Sequence, residues 1–207
     1  MTKFLEFPYF VALTGGIACG KSIVGECFKN QNFNYFDSDK ASHDCYLPES
    51  IIYKKILEMY GKDIIEKDEQ ISKQKLAKII FNDERERLKI NSLIHPMIRK
   101  KIIDWMSLCK DEKVNGVAEI PLLFETNINN LNWDYTISVY ASEKVIFKRL
   151  KERGLDEIES ISRINSQLSI KEKCNRSNYS INGESSISKI NKLVSDLVIK
   201  WKDERSS

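Results

Sequence analysis

Residues 15–22 read GGIACGKS, which places two glycines, a lysine and a serine at a spacing that suits phosphate binding. They fit the pattern G-x-x-x-x-G-K-S/T, in which backbone N–H groups cradle phosphate oxygens, the lysine reaches the β- and γ-phosphates and the hydroxyl binds Mg²⁺. Glycine suits such a loop because a Cβ would block the close approach of the backbone to phosphate. The residues expected to contact a nucleoside triphosphate are Gly15, Gly16, Ile17, Ala18, Cys19, Gly20, Lys21, Ser22 and Ile23.

A second group of polar residues, Asp37-Ser38-Asp39, follows the apolar stretch FNYF. In a phosphoryl-transfer enzyme, a carboxylate here could orient an acceptor hydroxyl and take its proton. One of the two aspartates could instead hold Mg²⁺, so Ser22 and Asp37 are the candidate metal residues. Aspartate and serine are also common where a helix begins, so a solvated turn remains an alternative.

The phosphate loop alone does not separate kinases from GTPase switches or ATP-driven motors. A GTPase needs N-K-x-D and D-x-x-G, but NKLV at 191–194 lacks the aspartate and no glycine follows an aspartate by three positions. A motor would carry Asp-Glu after an apolar strand, whereas the strand at 116–120 runs into Pro121. A small-molecule kinase that uses ATP is therefore favoured. A nucleoside or nucleoside monophosphate kinase, and a nucleotide-dependent switch protein, stay as alternatives.

The elements that must position these residues alternate between strands and helices. Strands are predicted at 9–14, 33–36, 116–124, 133–141 and 179–181, from short apolar or β-branched runs. Helices are predicted at 22–30, 96–109, 142–153 and 187–201. Gly154 is expected to end the third, and Asp156 to cap a further helix, with Glu159 three residues on in capping-box spacing. Pro96 is expected to begin its helix, since proline suits a first turn. This order predicts an α/β fold around a parallel sheet, with ligands at the carboxyl ends of the strands.

Composition narrows the class of protein further. The 207 residues carry a net charge of +3, which is too small for the basic face of a nucleic-acid-binding protein. No run approaches the about 18 apolar residues of a membrane span. Five cysteines without C-x-x-C spacing predict free thiols in the cytoplasm rather than disulfides or zinc. The N-terminal stretch, with Glu6 and Pro8, is not expected to be a signal peptide.

Five motifs follow one another within residues 9–182: ALTGGIACGKS, FDSD, IHP at 94–96, PLLFE at 121–125 and RLKERG at 149–154. In this order they resemble the dephospho-CoA kinase family. The resemblance implies transfer of the γ-phosphate of ATP to the 3′-hydroxyl of dephospho-CoA, with Mg²⁺. It also implies one P-loop kinase domain, 1–207. Its expected parts are a core (1–45, 110–149 and 177–207), a helical CoA-binding insertion (46–109) and a helical lid (150–176). Apart from the resemblance, a monomer is the favoured oligomeric state, which the sequence itself does not give.

The resemblance also implies roles for individual residues. Catalysis is expected from Asp39 as the acid facing the acceptor hydroxyl, from its neighbour Asp37, from Lys21, and from Arg149 or Arg153 at the transferred phosphoryl group. The residues expected on the acceptor side are His43, His95, Pro121, Leu122, Leu123 and Glu125, with Glu125 near Mg²⁺ or its waters. The chain departs from the family pattern at Ile23, where threonine is usual, and at Ile146, where glutamine is usual.

Overall fold

The chain divides into two structural units. The computed structural model describes residues 8–66 and 68–206. Glu6, used above in the prediction that the N-terminal stretch is not a signal peptide, therefore lies outside the described residues. The first unit comprises the described residues up to Asp37 together with those from Trp105 onward, and the second is Ser38–Asp104. The predicted division into core, CoA-binding insertion and lid stays a prediction.

A five-stranded parallel sheet organises the first unit. Its strands are β1 Phe10–Gly15, β2 Asn34–Asp37, β3 Gly116–Glu119, β4 Tyr135–Tyr140 and β5 Tyr179–Asn182. Their spatial order, β2-β3-β1-β4-β5, places β1 at the centre with β3 and β4 on either side. The predicted α/β class with a parallel sheet is confirmed, and the carboxyl ends of all five strands lie at one edge.

Helices connect these strands and make up most of the second unit. Within the described residues the α-helices are α1 Lys21–Lys29, α2 Ser38–Asp44, α3 Ile51–Tyr60, α4 Lys73–Asn82, α5 Glu84–Glu112, α6 Glu143–Glu152, α7 Glu157–Asn165, α8 Ile170–Arg176 and α9 Ile187–Ser206. Two short 3₁₀ helices are Lys62–Ile64 and Asn127–Asn130. None of the helices in the described ranges is long and apolar enough to cross a membrane.

The core of the first unit joins the sheet to α1 and α9. Every residue of β1 is buried, as expected for a central strand of a parallel sheet. Trp201 of α9 is fully buried between two stacked rings: the centroid of Tyr135 lies 4.2 Å away and that of Phe28 lies 6.1 Å away. Ile23 and Ile146, the two departures from the family pattern, also contribute apolar side chains here. Both departures therefore serve packing.

The prediction that a helix begins at Pro96 is wrong. Pro96 lies inside α5, a single helix of 29 residues. Proline within a helix removes a hydrogen bond and crowds the preceding turn, at a cost of about 3 kcal/mol. One side of α5 is buried at every fourth position through this region: Ile90, Ile94, Ile98 and Ile102. Burying each such side chain contributes about 1.5–3 kcal/mol, so packing outweighs the local preference.

Two other boundaries, at Asp156 and Gly154, are confirmed, whereas the strand predicted over 116–124 ends at Glu119, before Pro121. Asp156 caps α7 in a capping box with Glu159: each side chain accepts a hydrogen bond from the backbone N–H of the other residue. Gly154, with a φ of 82°, follows the end of α6 as predicted. Left-handed backbone at this position favours glycine because it has no Cβ.

We expect Pro96→Ala to raise the free energy of unfolding by about 2 kcal/mol, because alanine restores the helical N–H and removes the ring. The measurement is urea unfolding followed by circular dichroism. Pro48→Ala is the matched control, because Pro48 lies in a turn outside the helices. Pro48→Ala should leave the free energy of unfolding unchanged or lower it slightly. Equal effects of the two substitutions would contradict this account of α5.

Candidate active site

The loop between β1 and α1 has the backbone shape of a phosphate-binding loop. Its φ angles are positive at Gly15 (144°), Ala18 (56°) and Gly20 (93°). Changes of backbone handedness of this kind turn successive N–H groups toward one concavity, and the N-terminus of α1 adds its partial positive charge. A Cβ on Gly15 would lie only 2.2 Å from the carbonyl oxygen of Val139 in β4. Glycine is therefore required at Gly15 for steric as well as conformational reasons.

Lys21 folds back against this loop. The side chain is almost fully buried, and its ammonium group donates a hydrogen bond of 2.9 Å to the carbonyl of Gly16, with a longer contact of 3.5 Å to that of Gly15. Carbonyl oxygens here partly satisfy a charge that would otherwise be costly to bury. The cation thus lies on the loop that the sequence predicts to hold phosphate.

Arg149 of α6 supports the loop from outside. One terminal nitrogen donates to the carbonyl of Ala18 (2.9 Å) and the other to the carbonyl of Gly183 (3.0 Å), just after β5. Ala18 has left-handed backbone without being glycine, which costs of order 1–3 kcal/mol and persists only where the surroundings fix it. Arg149 is one of the contacts that fix it. A contact of Arg149 with phosphate stays a prediction, as does one of Arg153, whose side chain is exposed at the end of α6.

A carboxylate that is not among the residues predicted from the sequence lies beside Ser22. Glu119 is the last residue of β3, and its Oε1 accepts a hydrogen bond from the Ser22 hydroxyl at 3.4 Å. Its other oxygen, Oε2, accepts from the Tyr35 hydroxyl at 2.5 Å. Burial, and then this bond to Glu119, raises the pKa of Tyr35, so the hydroxyl keeps its proton. In the sequence Glu119 is only an acid in the apolar stretch before Pro121, and this alone does not place it beside Ser22.

Asp37 ends β2 directly opposite Glu119, because the strand register pairs these two residues. Ser22, Asp37 and Glu119 supply the hard oxygen donors that Mg²⁺ prefers. Among the described residues, no group of three histidine, cysteine or acidic side chains could enclose a metal by itself. Mg²⁺ commonly takes one or two protein carboxylates and completes its shell with water and substrate phosphate. The donors near Ser22 fit that kind of site.

The segment after β3 is held in place by a buried lysine that the sequence did not indicate. Lys173 of α8 is fully buried, and its ammonium donates to the carbonyl of Pro121 (2.6 Å) and to Glu125 Oε1 (2.8 Å). The Thr14 hydroxyl donates to the same Pro121 carbonyl (3.2 Å). The backbone N–H of Leu168 also donates to Glu125 Oε1 (2.9 Å). Glu125, expected near Mg²⁺ or its waters, thus has a buried cation as its partner.

Within the predicted segment 121–125, the side chains differ in exposure. Leu123 is fully buried in the first unit, whereas Pro121 and Leu122 are half-buried. Leu123 therefore anchors the segment to the core, and its neighbours present the more accessible surface.

The expected acceptor-side residues Asp39, His43 and His95 belong to the second unit. Asp39 and His43 lie four residues apart on α2, with Asp39 in the first turn and His43 in the last, and both are exposed. His95 lies in α5, where burial lowers the pKa of the imidazole. Their roles toward an acceptor remain predictions.

We expect Gly183→Ala to weaken nucleotide binding at least about tenfold, because the added Cβ would lie 1.9 Å from the carbonyl oxygen of Cys19 and displace the phosphate loop. Calorimetric titration with an ATP analogue is the measurement. Gly154→Ala is the control: its Cβ would meet nothing within 4 Å, so the variant should lose some stability and keep its nucleotide affinity. Unchanged affinity in folded Gly183→Ala would contradict this account.

A second prediction concerns the buried ion pair. Lys173→Met leaves the Glu125 carboxylate, whose side chain is only 17% exposed, without its cation, and we expect a loss of about 3 kcal/mol in the free energy of unfolding. Adding Glu125→Leu to Lys173→Met removes that uncompensated charge and should recover much of the loss. Urea unfolding of the two variants and the wild type is the measurement. A single variant as stable as the wild type, or a double variant no better than the single, would contradict it.

Comparison with known proteins agrees with the resemblance of the motifs. The family model described as dephospho-CoA kinase matches residues 9–189. A dephospho-CoA kinase of Oceanobacillus iheyensis is 34% identical over 197 residues, which cover 92% of this chain and 96% of that protein.

Two solved structures share the fold. A crystal structure from Thermus thermophilus has a TM-score of 0.78 at 20% identity and covers 93% of this chain and 97% of that one. The dephospho-CoA kinase from Campylobacter jejuni has a TM-score of 0.70 at 24% identity and covers 96% of this chain and 100% of that one. The match to the family model over residues 9–189, with this agreement in fold, leads to the conclusion that the chain belongs to the dephospho-CoA kinase family.

Proposed function

We propose that this protein transfers the γ-phosphoryl group of ATP to the 3′-hydroxyl of the ribose of dephospho-CoA, giving coenzyme A and ADP. The observation that carries the proposal is the match of residues 9–189 to the family model, which includes the phosphate loop and the segment 121–125. The five cysteines are all free thiols, which supports a cytoplasmic location as part of the proposal.

The donor half of the reaction is assigned to the loop between β1 and α1. Its backbone N–H groups would bind the phosphate oxygens of ATP, and the N-terminus of α1 would add favourable electrostatics. The Lys21 ammonium bonds to loop carbonyls and would exchange these for β- and γ-phosphate oxygens when the nucleotide binds. Placing a fixed positive charge there stabilises the charge that spreads over the phosphoryl group as it moves.

Ser22 and Glu119 are assigned to Mg²⁺, with Asp37 on the neighbouring strand as a further carboxylate. When bound, the ion neutralises phosphate charge and orients the γ-phosphate. Glu125 is left out of this assignment because Lys173 occupies one of its oxygens.

The acceptor half is assigned to Asp39. Its carboxylate would hold the 3′-hydroxyl in line with the γ-phosphate and take the proton as the new bond to phosphorus forms. His43, His95 and the helices of 46–109 are proposed to contact the CoA portion.

Arg149 is proposed to act mainly through the shape of the phosphate loop, because both of its terminal nitrogens bond to backbone carbonyls. Arg153 is then the arginine better placed, by its exposure, to reach phosphate when residues 150–176 close over the nucleotide. Closure would exclude water and limit wasteful hydrolysis of ATP.

The direct test is an ADP-release assay across candidate acceptors, with the product identified by mass and phosphorus NMR. The proposal expects a new 3′-phosphomonoester from dephospho-CoA and no comparable turnover of nucleosides or nucleoside monophosphates. If a nucleoside monophosphate were phosphorylated in preference to dephospho-CoA, the proposed acceptor would be wrong. A tight preference for GTP without any phosphorylated acceptor would favour a switch protein instead.

Lys21→Ala and Asp39→Asn are each expected to lower kcat by at least about 10²-fold, the scale of one well-placed catalytic group. The two variants should differ in their affinity for ATP: Lys21→Ala should lower it, whereas Asp39→Asn should leave it unchanged. Steady-state kinetics and calorimetry separate these effects. Asp104→Asn is the matched control, since Asp104 forms an exposed surface pair with Lys100. Near-normal turnover in folded Asp39→Asn would exclude Asp39 as the base.

A further inference from the structure

The Tyr35 hydroxyl fixes one oxygen of the carboxylate assigned to the metal. Tyr35 donates to Glu119 Oε2 at 2.5 Å, and Glu119 Oε1 lies 3.4 Å from the Ser22 hydroxyl. A glutamate side chain has three rotatable bonds, so an unsupported carboxylate would sample several orientations. With Oε2 held by the phenol, Oε1 is the oxygen directed toward Ser22.

The strand register explains why Tyr35 reaches Glu119. Strands β2 and β3 run parallel, with Tyr35 opposite Val117 and Asp37 opposite Glu119. Side chains alternate between the two faces of a sheet, so Tyr35 and Asp37 share a face, as do Val117 and Glu119. Tyr35 is thus a diagonal neighbour of Glu119, a separation that a long aromatic side chain spans.

Helix α1 holds the Tyr35 ring itself in place. A Cβ on Gly25 would lie 2.5 Å from ring atom Cε2, so the ring packs directly on the helix backbone. The Lys29 ammonium lies 4.3 Å from the ring centroid, within range of a cation–π interaction. Ser22 lies in the first turn of the same helix. The position of the phenol is therefore tied to the position of the serine hydroxyl.

We propose that Tyr35 is a positioning residue for Mg²⁺: through its hydrogen bond it keeps Glu119 Oε1 directed toward the ion beside Ser22. The proposal rests on the proposed function for the presence of Mg²⁺–ATP. Partners that bond to metal ligands orient those ligands, and their removal commonly lowers metal affinity or activity 10–100-fold. Tyr35 acts here on the metal rather than on the nucleotide or on the acceptor.

The test is a Mg²⁺ titration of binding of a non-hydrolysable ATP analogue to Tyr35→Phe and wild-type protein, with ADP binding in EDTA measured beside it. Tyr35→Phe keeps the ring and removes the hydroxyl. We expect the Mg²⁺ concentration at half-saturation to rise about tenfold, at the lower end of the range for such partners, with metal-free ADP affinity unchanged.

Tyr135→Phe is the matched control, because the Tyr135 hydroxyl likewise donates to a carboxylate, that of Glu204, at 3.1 Å. It should leave the Mg²⁺ titration unchanged. In a Glu119→Gln background, Tyr35→Phe should have no further effect, since the tyrosine acts through Glu119. Thermal melts show that each variant is folded.

Three results would overturn the proposal: an unchanged Mg²⁺ midpoint in Tyr35→Phe, an equal shift in the Glu119→Gln background, or an equal loss of metal-free ADP affinity. Wild-type protein that binds Mg²⁺–nucleotide but leaves dephospho-CoA unphosphorylated would refute the proposed acceptor only, and the titration would still decide the role of Tyr35. Wild-type protein without Mg²⁺-dependent nucleotide binding would refute both.

Discussion

The backbone path of residues 15–20 is the constraint on which the rest of the site depends. Its left-handed angles at Gly15, Ala18 and Gly20 are unfavourable for most residues, so surrounding contacts must maintain them. Those contacts come from neighbouring parts of the sheet: the backbone of β4 lies against Gly15, and Gly183 after β5 lies against the loop. Arg149 then joins both sides with two hydrogen bonds. The phosphate loop is shaped largely before any nucleotide binds.

The order of the strands places the other polar side chains of the site near this loop. Because β1 is central, the ends of β3 and β4 flank the loop, and β2 lies one strand further. Glu119 therefore lies beside Ser22, and Tyr35 and Asp37 reach the same edge from β2. Lys173 joins the segment after β3 to α8 through the Pro121 carbonyl. Side chains distant in sequence thus meet around the loop, and Lys21, Glu119 and Lys173 each have a polar partner there.

Local features of the site could be predicted from the sequence because their causes are local. The glycines and lysine of residues 15–22, the capping box at Asp156 and the strand that ends at Asp37 each depend on neighbouring residues. The role of Glu119 could not be predicted in this way, because it depends on β3 lying next to β1. The order of strands in a sheet is not determined by neighbouring residues in the sequence. Lys173 and Glu125 are 48 positions apart in the sequence, so their pairing could be found only once the fold was known. The prediction at Pro96 was wrong because packing of a long apolar face outweighed a local preference.

A crystal structure of the wild-type protein with Mg²⁺, a non-hydrolysable ATP analogue and dephospho-CoA tests the central claim most directly. We expect the ribose 3′-hydroxyl within hydrogen-bond reach of the Asp39 carboxylate, about 2.6–3.2 Å, and in line with the γ-phosphate held by Lys21. A 3′-hydroxyl bound to a different side chain, or dephospho-CoA bound with its ribose away from the phosphate loop, would contradict the account.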